Sequence, residues 1–175
     1  MAVLNVNPTR MELTRLKKQL STALRGHKLL KDKRDELMRQ FLDMIRETKT
    51  LREEVEERLK SVNNDFVLAS SVMSKEELDT ALLAPKQEVY LEASTRNVMS
   101  VDIPVYSFKT RTSEQSDIFS YGFASTSFEL DDAVSGLSDL LPKMLKLAEM
   151  EKSVKLMADE IEKTRRRVNA LEHVM

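Results

Sequence analysis

The sequence has no cysteine and no tryptophan, and only three glycines and four prolines among 175 residues. Without cysteine there is neither a disulfide framework nor a thiolate metal site, and a reducing compartment is the natural inference. Few glycines and prolines mean few breaks, so long uninterrupted helices are expected. No apolar run approaches the roughly 20 residues needed to cross a bilayer, and the opening MAVLNVNPTR lacks the basic-then-apolar order of a secretory signal. Aromatic residues are scarce, and seven of the nine (Tyr90, Tyr106, Phe108, Phe119, Tyr121, Phe123, Phe128) fall in one stretch, which is expected to form a separate packed module.

A third of the residues are charged, and the net charge of −1 conceals a polarity along the chain. Residues 1–40 hold ten Lys or Arg against four Asp or Glu, and 141–175 hold eight against six. Residues 61–140 hold five against thirteen. A chain folded back on itself would then have a basic end, where its termini meet, and an acidic end.

Asn7, Pro8 and Thr9 read as a helix start, with Thr9 and Glu12 at capping-box spacing as the alternative to an Asn7 cap. Leu13, Leu16, Leu20, Ala23, Leu30, Leu37, Phe41, Met44, Leu51 and Val55 then follow in alternating steps of three and four wherever the seam is unbroken. That heptad predicts a left-handed coiled coil. His27, Arg34 and Thr48 interrupt it, and near Leu59, Val62 and Phe66 the stripe shifts by one, as a stutter makes it do. Ser74 with Glu77 reads as a second capping box, so the helix over 8–84 has a possible break near 73.

Residues 85–130 read as a β-hairpin and loop module. Strands are expected over 87–93 and 98–105, with polar residues Ser94 to Asn97 as the connection and Pro104 at an edge or strand end. Residues 109–117 read as a polar loop and 118–124 as a short extended or turning segment. Asp131 and Asp132 favour the start of a second helix over 131–175. Its seam is Leu140, Leu147, Val154, Ile161, Val168 and Met175, with Met150, Met157, Thr164 and Leu171 at the complementary position. Pro142 predicts a kink near 138–142, or a separate helix capped by Asp139. The fold class is therefore mainly α, a long two-helix antiparallel left-handed coiled coil with a small β-hairpin and aromatic module at the turn end.

The two helices are unequal, roughly 115 Å and roughly 65 Å at ~1.5 Å per residue. With residue 131 set opposite residue 80, residue 175 falls near residue 36, and Leu13, Leu16, Leu20, Leu24 and Leu30 lack an intramolecular partner. Such a seam does not stay bare in water. Either another protein chain covers it or the native second helix continues, and the expectation is a chain shortened at its C-terminal end.

No catalytic constellation is legible. His27 and His173 stand alone, and there is no Gly-rich phosphate loop. No metal or cofactor is implied. The basic stretch 17–34 leaves open a nucleic-acid-binding coiled coil, and a generic coiled-coil scaffold is the other alternative.

The block LNVNPTRMELTRLKKQLSTALRGHKLLKDKRDELMRQF (4–41) and LLPKMLKLAEMEKSVKLMADEIEKTRRRVNALE (140–172) resemble the D subunits of V/A-type rotary ATPases, the central-stalk shaft. The string EKTRRRVNALE (162–172) is especially distinctive. The resemblance implies a non-catalytic rotor that carries torque between the ATP-hydrolysing or ATP-synthesising ring and the membrane rotor that moves protons or sodium. The implied partners are the A and B subunits of the ring, the F subunit of the stalk, and the funnel-shaped d/C-type subunit that seats the shaft on the membrane. The implied location is cytoplasmic and peripheral to the membrane. No nucleic acid and no direct membrane insertion are implied. Arg165, Arg166, Arg167, Lys17, Arg25 and Lys28 are the candidate protein-interface residues.

Overall fold

The computed structural model describes residues 7–174 apart from 113, 123 and 125; Phe123, Met175 and the first residues of the N-terminal block lie outside the described residues. Helix α1 spans Arg10–Val72, α2 spans Lys75–Leu82 and α3 spans Phe128–Val174. Strands β1 (Val89–Val98) and β2 (Val101–Thr110) form an antiparallel hairpin. The chain is mainly α, with two long helices packed together and one small hairpin, as the heptad predicts. By compactness it forms two units, residues 1–42 with 156–175 and residues 43–155.

At the start of α1 the alternative cap is the one used: the Glu12 amide donates to Thr9 Oγ1 at 3.3 Å. In the first unit the helices run antiparallel and bury Leu37, Met157, Ile161, Thr164 and Val168. His27 meets Glu172 at 2.9 Å and Lys33 meets Glu160 at 3.6 Å, which fixes the register. The last turn of α3 therefore lies beside the stretch around His27, not near residue 36. The reason is that α1 stops at Val72 and α3 starts already at Phe128. Leu30 is half-buried in consequence, whereas Leu13, Leu20 and Leu24 remain exposed.

The second unit buries Val55, Val62 and Ala69 of α1, Met73 just after it, Ala81 of α2, and Leu130, Ala133, Leu140 and Ser153 of α3. The shifted stripe is visible here: Leu59 is half-buried and Val62 buried, while Phe66 is partly exposed. α2 begins with the capping box read from the sequence, the Ser74 amide donating to Glu77 Oε2 at 3.0 Å and the Glu77 amide to Ser74 Oγ at 3.3 Å. The short α2 folds its Ala81 and Leu78 onto Ala69, Met73 and Leu130, which closes this end of the unit.

Several expectations are corrected here. The polar residues Ser94 to Asn97 belong to β1, and the turn falls at Met99 and Ser100, both at positive φ of 51° and 72°. Two successive left-handed residues suit the right-handed twist of a tight hairpin. Asn97 holds this one, its Oδ1 accepting from the Ser100 amide at 3.1 Å and its Nδ2 donating to Asp102 at 2.7 Å. Polar residues are tolerated in β1 because that strand is exposed almost throughout. Pro104 is as expected at a sheet edge, since the sheet has two strands and both are edges; it lies in β2 opposite Thr95. The Tyr106 amide, two residues on, donates outward to Glu149 at 2.8 Å, so the proline nitrogen also faces away from β1 and costs no ladder bond.

The segment 109–117 is not all loop, because β2 extends to Thr110 and a 3-10 turn occupies Gln115–Ile118. The described aromatic residues do not all share a core: Tyr90, Phe108 and Phe128 are exposed, while Phe119 and Tyr121 meet edge to face at 6.0 Å. Small and aliphatic side chains fill the core of this unit instead. α3 passes through Pro142 as one helix, so Asp139 starts no separate one. Asp131 lies in the first turn of α3, as expected of a helix start, and its carboxylate accepts from the Tyr121 hydroxyl at 2.8 Å. Burial, then that bond, raises the Tyr121 pKa.

Candidate interaction surface

All six candidate interface residues lie in the first unit and all are exposed. Lys17 and Lys28 are about three helical turns apart and share a face of α1, with Arg25 close to it. None of Lys17, Arg25, Lys28, Arg165 or Arg167 has a carboxylate partner among the described residues. Arg166 is different, donating to Glu162 one turn earlier on α3. Because consecutive helical residues point about 100° apart, Arg165, Arg166 and Arg167 face three directions rather than one.

Arg165 is the member with a built setting. It borders a groove of about 610 Å³ between α1 and α3, whose floor is Met38, Phe41, Ala158 and Ile161. Ala158, the smallest of these side chains, lines the groove together with Phe41. Two rim charges are already balanced: Arg34 donates to Asp35 at 2.7 and 3.0 Å, and Glu162 accepts from Arg166. One positive charge is left over, that of Arg165.

The second unit has a comparable groove of about 380 Å³, lined by Ile45, Thr48, Arg52, Glu151, Val154 and Lys155. Its Arg52 is bonded to Glu151, through Nε at 3.2 Å, and Glu151 raises the Arg52 pKa. Lys155 again has no carboxylate partner among the described residues. Elsewhere in this unit, Lys143 bonds Glu54 across the helices and holds that carboxyl below its ordinary range.

His27, one of the seam interruptions, is accounted for by Glu172, and Thr48 by its hydroxyl donating to the Met44 carbonyl at 2.7 Å. Sequence reasoning missed the groove and missed Ser153, which is buried in the seam and donates to the Glu149 carbonyl at 2.7 Å. Heptad spacing signals apolar positions, so a small polar residue there leaves no mark. Among the described residues no three His, Asp or Glu side chains gather where they could hold a metal ion, and no helix is long and apolar enough to cross a membrane.

An antiparallel pair of long helices with a hairpin and exposed basic side chains is the setting in which the family relationship becomes informative. Residues 12–175 match the family of ATP synthase D subunits, and the chain belongs to that family. It is similar to the V-type ATP synthase D subunit of Acetivibrio thermocellus, 63% identical over 175 residues that cover 100% of this chain and 79% of the relative. The V-type ATP synthase D subunit of Clostridioides difficile strain 630 is 62% identical over 175 residues, 100% of this chain and 78% of its own. That of Clostridium novyi strain NT is 57% identical over 175 residues, 99% and 81% respectively.

Proposed function

We propose that the chain is the central shaft of a V-type ATP synthase, carrying torque between the nucleotide-handling ring and the ion-moving membrane rotor without doing chemistry itself. The observation that carries this reading is the interlocked antiparallel pairing of α1 and α3 in a member of the ATP synthase D-subunit family. Two helices joined by a common seam and by cross-helix pairs such as His27–Glu172 and Arg52–Glu151 resist twisting more than either helix alone.

The exposed cations Lys17, Arg25, Lys28, Arg165, Arg166 and Arg167 then contact the A and B subunits of the ring. Different faces of the coil favour different ring conformations, and rotation follows from those differences in contact energy. The hairpin exposes Val89, Tyr90, Leu91 and Phe108, an apolar surface suited to the F subunit of the stalk. The seating subunit on the membrane side completes the set of partners. The chain is peripheral to the membrane on the cytoplasmic side, as part of a membrane-bound complex.

Pull-down of the tagged chain with ring and stalk subunits tests this. Salt-resistant, nucleotide-dependent recovery of the ring is the expected result. Steeply salt-sensitive binding to DNA or RNA with no recovery of ring subunits would replace the reading.

A further inference from the structure

We infer that β1 takes up a third strand: an uncharged, extended segment of another subunit adds along residues 89–93 and pairs with the outward side of that strand. This inference rests on the reading above, that the chain works inside an ATP synthase assembly. The two-residue turn at Met99 and Ser100 makes Val98 and Val101 a bonded pair, and bonding then alternates along the ladder. The Arg111 amide donates to the Glu88 carbonyl at 2.9 Å, which keeps the same alternation at the base. Even-numbered residues of β1 therefore spend their amides and carbonyls on β2, while Val89, Leu91 and Ala93 turn theirs outward. None of these three amides has a partner among the described residues, and all three residues are exposed.

The two edges of the sheet are not alike. On β2, Pro104 offers no amide and the Tyr106 amide is taken by Glu149 at 2.8 Å, which blunts that edge. β1 carries none of the usual guards: it has ten residues, with no proline, no lysine and no bulge.

Charge and shape choose the occupant. Glu92 is paired with Lys109 at 2.7 Å and Glu88 with Arg111 at 3.7 Å, so the edge calls for no counter-charge. A second β1 would bring acidic residues of its own to an edge with nothing to balance them, so another subunit is the fitting source. Val89 and Leu91 share a face with Phe108, and all three are exposed apolar side chains. An incoming strand sets every second side chain on that face, so apolar residues at alternate positions fit it. Past Ala93 the edge turns polar and Asn97 is occupied with the turn, so the added strand is short.

The test compares amide exchange in the isolated chain and in the assembled complex. The Leu91 and Ala93 amides are expected to exchange freely in the chain and to become protected on assembly, which contact through side chains alone would not do. Ala93→Pro removes one outward donor and spares the ladder, and Leu91→Glu places an unbalanced charge on the edge. Each is expected to lower affinity for the remaining components about tenfold, with continued protection of the Glu92 and Ser94 amides showing that the hairpin is intact. A photo-crosslinking amino acid in place of Tyr90 is expected to capture an uncharged segment of another subunit. Free exchange at Leu91 and Ala93 in the complex overturns the inference, and so does capture of a second copy of this chain or of a charged segment. Unchanged affinity in both variants overturns it as well, and none of these results touches the shaft reading. Failure of the wild-type chain to assemble at all overturns both.

Discussion

The Cγ2 atom of Val62 stands 2.7 Å from where a Cβ on Gly136 would be, so α1 and α3 touch there with no room for even one methyl group. Gly136 therefore sets the helix spacing at that level. Gly136→Ala is expected to destabilise the chain by about 1–3 kcal/mol, the usual cost of overpacking. Val62→Ala in the same chain should recover part of the loss, since the two residues are in contact and do not act additively. Urea unfolding of the two single variants and the double variant measures this, and additive losses would contradict it.

Thr164 is 1% exposed in the seam of the first unit, and its hydroxyl has no hydrogen-bond partner among the described residues. A buried, unpaired hydroxyl is unfavourable. Thr164→Val is expected to stabilise by about 1 kcal/mol, read as a higher urea midpoint at unchanged slope. A lower midpoint would show that the hydroxyl is satisfied.

The Ser74 side chain accepts from the Glu77 amide at the start of α2, which in turn holds Ala81 against Leu130. Ser74→Ala is expected to cost about 1 kcal/mol. Amide exchange should rise across Lys75–Leu82 more than across α3. Uniform acceleration along the whole chain would mean that α2 does not open by itself.

Four carboxyls among the described residues are held below their ordinary value. Bonds from Arg39 and then Gln40 lower Glu36 from 4.5 to about 2. Lys143 lowers Glu54, and the Ser74 amide lowers Glu77. Burial pushes Glu149 upward, but Lys146 and the Tyr106 amide together outweigh it, and the net shift is downward. Lowered folded values mean that the unfolded chain binds more protons in this range. Their stabilisation is thus complete above the ordinary value of 4.5 and is lost as pH falls toward about 2. Melting temperature should drop across that window, less steeply in Glu36→Gln. A rise on acidification would contradict the assignment.

The heptads made the two-helix coil legible, and Leu37, Val55, Leu140, Met157 and Val168 are buried where the pattern put them. The capping box at Ser74 was legible for the same kind of reason, since it is a local rule between residues three apart. The hairpin turn was not. Met99 and Ser100 lack the Asn-Gly signal that left-handed turns usually carry, while the polar run Ser94 to Asn97 imitates a connection. Register between the helices was also hidden, because it depends on where α1 ends, and pairing 131 with 80 presumed a helix that continued past Val72. The groove is lined from both helices, by Met38 and Phe41 of α1 and Ala158 and Ile161 of α3, so nothing in either helix alone announced it. The candidate cations were named on the family resemblance, and only packing distinguishes Arg165, beside an apolar floor, from Arg166, already paired.

The most direct measurement is of rotation. Because the chain has no cysteine, Thr95→Cys on exposed β1 gives a single attachment point for a bead or fluorophore. With the ring of the assembled ATP synthase immobilised, the account predicts one-directional turning of the label on addition of ATP, ceasing when ATP is removed. A label that stays fixed relative to the ring while ATP is being hydrolysed would contradict the shaft assignment.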